Sequence, residues 1–195
     1  MDRHELTRVV EAERLDLCDF LEDLEASDWL AGSLCPGWTV HDVVAHLTTI
    51  TMPMSVWDTI KGAISARGDF NRMTADQARR RAAAFQPAAL VARLRETAGS
   101  SRRAPGSRAL DPLVEVLVHG QDIARPLGRS RPMPPDRVIP ALAHAVRSFW
   151  YGGRRRFEHV KLVATDAART AGRDSARYEG RRVTCSLLPP DVQPG

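Results

Sequence analysis

The sequence predicts a mainly α-helical protein, in which a bundle of helices is followed by a small C-terminal appendage containing β-strands. Two observations predict the bundle: apolar residues recur at helical spacing in several segments before residue 150, and proline, glycine or capping residues separate these segments. A third predicts the appendage, because two short runs rich in β-branched residues follow Gly152 and Gly153. We expect the bundle at residues 1–150 and the appendage at residues 151–195.

The first two helices have clear amphipathic patterns. Residues 3–25 carry apolar side chains on one face of a helix. Thr39 is expected to cap the second helix, with Asp42 three residues later completing an imperfect capping box. The apolar stripe of this second helix runs on to Met54, and Pro53 is expected to kink or end it.

Further helices and two strands are predicted downstream. Thr74 is expected to cap the next helix, and Pro87 marks a break or bend after which helical spacing continues. Asp111 followed by Pro112 is a strong start signal, as an N-cap followed by proline at the first helical position. The predicted helices cover 74–85, 88–98, 111–125 and 138–150, and the predicted strands are His159–Thr165 and Arg182–Leu188, with Gly- and Arg-rich turns between them.

Composition excludes several classes of protein. The 195 residues suit one domain with a real core, and 43% hydrophobic with 27% charged residues argues against disorder. No stretch approaches eighteen consecutive apolar residues, and the N-terminus is charged, so neither a membrane span nor a secretory signal is expected. Cys18, Cys35 and Cys185 form no CxxC pair, which argues against a disulfide framework or a cysteine zinc site. We therefore expect a cytoplasmic protein; its oligomeric state is not indicated.

A net charge of +4 and several arginine clusters make nucleic-acid binding an alternative. The clusters are Arg79–Arg81, Arg102–Arg103, Arg154–Arg156 and Arg181–Arg182. However, the 24 acidic residues offset most of the charge, and no recognition-helix motif or interleaved aromatic residues accompany the arginines. Nucleic acid is therefore the less favoured partner.

Glu115 and His119 are the most informative residues, because they stand four positions apart in an otherwise apolar segment, LVEVLVH. In a helix they share one face. Burying an ionised glutamate alone is costly, so a protonated His119, an arginine or a metal ion must compensate it.

His46 lies at the edge of the apolar stripe of the second helix and is expected to point towards the bundle interior or its mouth. If the two helices are neighbours, His46, Glu115 and His119 converge as a His₂Glu set, the ligand class of open catalytic zinc sites. The competing interpretation is a core histidine beside an ordinary Glu115–His119 pair, and spacing leaves both open. Such a set also accepts nickel, cobalt or iron.

Residues 33–47 read SLCPGWTVHDVVAHL, and residues 115–125 read EVLVHGQDIAR. In this order and separation they resemble the mycothiol-dependent maleylpyruvate isomerase family of the DinB-like superfamily, over residues 1 to about 150. The resemblance implies a DinB-like four-helix bundle with an additional helix, and a divalent-metal site, usually zinc, whose ligands map onto His46, Glu115 and His119. The chain departs from the family after Gly152, where the C-terminal domain of the family is larger than the expected appendage, so substrate contacts from that domain are not carried over.

The same resemblance implies an enzyme that uses mycothiol, the abundant thiol of actinobacteria, and the excess of arginine over lysine fits a GC-rich genome. A bound zinc-class ion would hold the thiol as thiolate, the competent nucleophile. Addition to an activated double bond, rotation and elimination would isomerise a maleylpyruvate-like enone acid, whereas displacement of a leaving group on a small electrophile would be S-transfer. The alternative is a bundle that binds a metal or ligand without catalysis, as a sensor or scaffold.

Four further residues near these segments are considered. Asp122 is a candidate to orient His119, or else pairs with Arg125 at the helix end. Arg125 is a candidate for binding a substrate carboxylate, or else is solvated. Trp38 is expected to pack at the start of its helix, with lining of the pocket as the alternative. Cys35 is expected to have no base nearby and belongs to the segment that carries the family resemblance, so no catalytic role is expected for it.

Overall fold

A computed structural model of the chain describes residues 1–51, 70–103, 106–148, 161–164, 170–172 and 177–180. The chain forms two compact units, Met1–Arg131 and Pro132–Gly195. The predicted limit of the helical domain is residue 150, whereas the structure assigns the last helix to the second unit.

The first unit is built from helices α1 (Arg3–Glu22), α2 (Ala26–Leu30), α3 (Val40–Thr51), α4 (Phe70–Ala84), α5 (Pro87–Glu96) and α6 (Asp111–Ala124). Helix α1 packs against α5 and α6, and α3 packs against the same two helices, so four helices close a ring. Helix α4 lies against α3 as an additional helix. The predicted mainly α architecture is confirmed. Among the described residues, no helix has the length and apolar character needed to cross a membrane.

Capping residues explain where two of these helices begin. At α1, the Asp2 carboxylate accepts from the Glu5 backbone N–H, and the Glu5 carboxylate accepts from the Asp2 backbone N–H. At α3, the Thr39 N–H donates to Asp42 Oδ2 at 2.9 Å, and the Asp42 N–H donates to Thr39 Oγ1 at 3.2 Å. These contacts satisfy backbone donors that the first turn of a helix leaves unpaired. The predicted capping box at Thr39 is therefore confirmed.

Other predicted boundaries are wrong by a few residues. Helix α4 begins at Phe70, so Thr74 lies inside the helix instead of capping it. Asp111 is the first residue of α6 and not its N-cap, although its carboxylate accepts from the Arg108 N–H within that turn. Helix α2 was not predicted, because five residues are too few to show helical periodicity. Pro53 lies outside the described residues.

Aliphatic side chains from all four helices of the ring fill the interior. The side chains of Leu17, Leu21, Val40, Val43, Val44, Leu90, Leu94, Leu113 and Val114 are at most 2% exposed. Full burial of one such side chain contributes about 1.5–3 kcal/mol. This core fixes the rotation of α3 and α6 about their axes, and hence which of their residues face each other.

One ion pair is buried in the same unit. Arg131 Nη2 donates to Glu13 Oε2 at 2.7 Å and to the Glu13 carbonyl at 3.0 Å, and the two side chains are only 4% and 1% exposed. The Gln121 Nε2 donates to the Arg131 carbonyl at 3.0 Å. The chain after α6 is thereby tied to α1 and α6.

The second unit contains α7 (Pro135–Arg147) and strands β1 (Lys161–Ala164), β2 (Thr170–Gly172) and β3 (Arg177–Gly180). The strand order is β2-β1-β3, with β1 antiparallel to β2 and parallel to β3. Strand β1 lies within the predicted strand at 159–165. The prediction of turns at β2 and β3 is wrong, because these short strands, rich in glycine and charge, lack the β-branched runs on which it relied. The predicted strand at 182–188 lies outside the described residues.

Candidate metal centre

Helices α3 and α6 are neighbours, and their facing sides bring three polar residues together. Nε2 of His46 lies 3.5 Å, and Nε2 of His119 lies 3.2 Å, from the same oxygen, Oε2 of Glu115. The two imidazole rings are 5.2 Å apart and nearly perpendicular, at 86°. One possible ligand atom from each residue lies within 4.8 Å of the other two. The three residues singled out in the sequence therefore form one cluster.

The cluster is partly buried, which perturbs its acid–base equilibria. The side chains of His46, Glu115 and His119 are 15%, 25% and 18% exposed. Burial alone would raise the pKa of the Glu115 carboxyl, but hydrogen bonds with His119 and His46 lower it far below its ordinary value. Burial alone would lower the pKa of His119, but hydrogen bonds with Asp122, Cys35 and Glu115 hold it well above its ordinary value. The cluster thus favours an ionised carboxylate beside positive charge.

Asp122 and Cys35 lie on the outer side of His119. Asp122 Oδ2 is 2.9 Å from His119 Nδ1, and the Cys35 thiol donates to the same oxygen at 3.3 Å. Cys35 Sγ is 3.8 Å from His119 Nδ1. The expectation that Cys35 has no base near it is wrong: 84 positions separate it from His119, a distance in sequence that spacing cannot bridge.

A loop between α2 and α3, residues Ser33–Trp38, brings two side chains to the cluster. Its Leu34 N–H donates to the Asp122 carbonyl at 3.0 Å, and Cys35 follows directly. At its other end Trp38 meets the ring of His46 edge-on, 5.4 Å away. Gly37 has a φ of +73°, a conformation that glycine adopts without strain. The Ser33–Trp38 loop therefore contacts both histidines of the cluster.

The other candidate residues have different partners. Arg125 Nε donates to Gln121 Oε1 at 3.2 Å, so the structure pairs Arg125 with Gln121, while Asp122 pairs with His119. His41 lies near Trp29 and its Nε2 is 3.0 Å from the Phe85 carbonyl, away from the cluster. His41 thus has a local structural role at the other side of α3.

Comparisons with known proteins agree with this arrangement of helices. The family profile described as "Mycothiol maleylpyruvate isomerase N-terminal domain" matches residues 10–112, which is more than half of the chain. The crystal structure of a mycothiol-dependent maleylpyruvate isomerase superposes with a TM-score of 0.60 at 16% identity, covering 94% of this chain and 86% of that one. A histidine-to-alanine mutant of a mycothiol-dependent maleylpyruvate isomerase superposes with a TM-score of 0.58 at 16% identity and the same coverage. No curated protein matches the chain.

Proposed function

The chain belongs to the family of the mycothiol maleylpyruvate isomerase N-terminal domain, and we propose that it is a metal-dependent enzyme that uses mycothiol to transform a small electrophile. The observation that carries the proposal is the convergence of two imidazole nitrogens on one carboxylate oxygen at a partly buried position. The reaction is either the cis–trans isomerisation of a maleylpyruvate-like enone acid or the transfer of the thiol sulfur to an electrophilic carbon.

The donor set fits a zinc-class divalent ion. Two neutral imidazoles and one carboxylate match the His₂Glu ligands of catalytic zinc sites, which keep a coordination position open. An ion bound by these atoms would also supply the positive charge that the Glu115 carboxylate needs at its partly buried position. By contrast, the second acidic residue of the region, Asp122, faces Nδ1 of His119 and not the Nε2 side. His46, Glu115 and His119 are therefore the proposed ligands.

A zinc-class ion bound there would lower the pKa of a coordinated thiol, so that the cosubstrate is present as thiolate at neutral pH. The protein's own residues would hold and orient the reactants. Asp122 orients His119 through Nδ1, which leaves Nε2 directed at the proposed ligand position. Trp38 packs edge-on against His46, with the ring centroids 5.4 Å apart.

Arg125 is the proposed contact for a carboxylate of the substrate. Its Nε is engaged by Gln121, and its planar guanidinium carries two further nitrogens that suit a carboxylate. An enone acid or an anionic electrophile would use this contact.

Metal content tests the site first. Purified protein is expected to carry about one equivalent of zinc by plasma mass spectrometry, whereas His46→Ala and His119→Ala carry little. His41→Ala is the matched control, because His41 lies on the same helix but contacts Trp29 and Phe85. A parent protein that takes up no divalent metal, even on reconstitution, contradicts the proposal.

Turnover tests the reaction. Zinc-loaded protein is incubated with mycothiol and either maleylpyruvate or a small alkylating electrophile, with Glu115→Gln as the site-defective control. Mycothiol-dependent isomerisation or thioether formation that is lost in Glu115→Gln supports the enzyme and identifies its reaction class. Metal binding without turnover of either kind would favour the non-catalytic sensor or scaffold.

A further inference from the structure

Asp122 Oδ2 is shared by two donors that come from distant parts of the chain. It lies 2.9 Å from Nδ1 of His119 on its own helix and accepts from the Cys35 thiol at 3.3 Å. The Asp122 side chain is 14% exposed, so few water molecules compete for this oxygen. The carboxylate is thus held from two directions.

Backbone contacts of the Ser33–Trp38 loop fix where the Cys35 thiol lies. The Cys35 N–H donates to Ser33 Oγ at 3.1 Å, and Ser33 Oγ donates to the Trp38 carbonyl at 3.0 Å. The Leu34 N–H, one residue earlier, donates to the carbonyl of Asp122 itself at 3.0 Å. The thiol is therefore presented to Asp122 by a loop that is docked onto the same residue.

We propose that Cys35 is a positioning residue of the metal centre, which acts on His119 through Asp122. An imidazole can present either nitrogen to a ligand, and a carboxylate on Nδ1 selects the form whose Nε2 is available. An aspartate with one partner can rotate away, whereas a second hydrogen bond from the loop holds it in place. The inference rests on the proposed metal site and assigns Cys35 no part in the chemistry of the substrate.

The competing possibility is that Cys35 is itself a metal ligand. Cys35 Sγ, His119 Nδ1 and an Asp122 oxygen also lie within 4.8 Å of one another. A metal ion bound there would have to replace the 2.9 Å contact between Nδ1 and Oδ2. That contact has the length of a charge-assisted hydrogen bond, which favours the positioning role.

Cobalt binding distinguishes these roles. Apparent Co²⁺ affinity is measured by chelator competition, together with the visible and near-ultraviolet spectrum, for the parent, Cys35→Ala, Cys35→Ser and Cys18→Ala. Cys35→Ala is expected to bind measurably more weakly, up to the about 10–100-fold that loss of a histidine's direct partner costs, because Cys35 acts on His119 through Asp122. Cys35→Ser, whose hydroxyl can still donate to Asp122, is expected to recover most of that loss. Cys18→Ala removes a thiol buried elsewhere and is expected to bind as the parent does.

Three other outcomes would overturn the inference. Equal affinity of Cys35→Ala and the parent overturns the positioning role and leaves the proposed metal site intact. An intense cobalt–thiolate band that disappears in Cys35→Ala, or two equivalents of cobalt that fall to one, makes Cys35 a ligand and also overturns it. A parent that binds no cobalt overturns the metal site and, with it, this inference. Thermal unfolding of each apoprotein separates weaker binding from misfolding.

Discussion

Two carboxylates are enclosed by helices of the first unit, Glu13 on α1 and Glu115 on α6, and they are neutralised in different ways. Glu13 pairs with Arg131, a permanent cation, at 2.7 Å, and both side chains are at most 4% exposed. Glu115 faces two imidazoles at 3.2 and 3.5 Å and remains 25% exposed. An arginine stays charged and paired with its carboxylate as long as the protein is folded. Imidazoles, by contrast, can release their protons when a metal cation binds their nitrogens. The first arrangement is suited to holding helices together, and the second to binding a ligand.

The largest expected effect is on the Glu13–Arg131 pair. Arg131→Met leaves Glu13 buried without its arginine and is expected to lower the free energy of unfolding by about 3–5 kcal/mol. Urea denaturation followed by circular dichroism measures this.

Arg129→Met is the matched control, because Arg129 pairs with Asp28 at 3.1 Å while 36% exposed. Arg129→Met is expected to lower the free energy of unfolding by less than about 1 kcal/mol. If the two substitutions cost the same, the Glu13–Arg131 pair does not have the structural role assigned to it.

The opposite result is expected at the proposed metal centre. Glu115→Gln is expected to weaken zinc binding by more than the about 10–100-fold typical of outer partners, because it removes the charge of a proposed ligand. The free energy of unfolding of the apoprotein is expected to fall less than it does for Arg131→Met, since Glu115 is 25% exposed and an amide at that position can be hydrated. Chelator competition and urea denaturation on the same samples measure both. A large loss of stability with unchanged zinc affinity would make Glu115 a structural residue like Glu13.

A third buried group, Cys18, has no charged partner strong enough to keep it ionised. Burial raises the pKa of its thiol from 9.0 to about 11. The folded state therefore keeps the thiol neutral at pH values where the unfolded chain ionises it, so the contribution of Cys18 to the free energy of unfolding is constant below about pH 9 and falls by about 2–3 kcal/mol as pH rises to about 11.

Urea denaturation at several pH values measures how the free energy of unfolding falls as pH rises. The Cys18→Ala variant should lack the part of this fall that is due to the thiol. A parent whose stability is flat between pH 9 and 11 would show that Cys18 ionises freely in the fold.

The smallest effect concerns Gly120, which directly follows His119. A Cβ at this position would lie 2.8 Å from Nη1 of Arg131, whose side chain is buried and cannot move aside. Gly120→Ala is therefore expected to lower the free energy of unfolding by about 1–3 kcal/mol, although alanine normally favours a helix more than glycine does.

Gly99→Ala is its counterpart, with a Cβ 2.9 Å from Glu11 Oε1. That carboxylate is the end of a flexible side chain and can move aside, so the free energy of unfolding is expected to change by no more than about 0.5 kcal/mol. Equal losses for the two glycines would mean that the rigidity of Arg131 does not matter. Chemical denaturation measures both.

The contrast between Glu13 and Glu115 also shows what a sequence can predict. Glu115 and His119 stand out because both interrupt one apolar helix face at a spacing of four, and His46 stands out at the edge of the apolar stripe of another helix; the family resemblance pointed to the same three residues. Glu13 lies among other charged residues of α1, and its partner Arg131 is 118 positions away in a proline-rich connector, so no local pattern marks the pair. The contact of Cys35 with Asp122 and His119 was missed for the same reason, because 84 or more positions separate it from both. Helix existence follows from local periodicity, whereas contacts between distant segments depend on how the helices pack.

The hydrogen bond between Cys35 and Asp122 joins residues 87 positions apart, and this separation has a consequence for folding. Local helix formation cannot assemble the cluster, because its members come together only when the α2–α3 segment docks on α6. A metal that binds this cluster recognises the folded first unit and not its separate helices. Binding of this kind stabilises the native state by about 2.7 kcal/mol at a free metal concentration about 100 times Kd. If zinc binds at the proposed site, resistance to proteolysis should rise with zinc concentration, and metal supply would then control how long the protein persists.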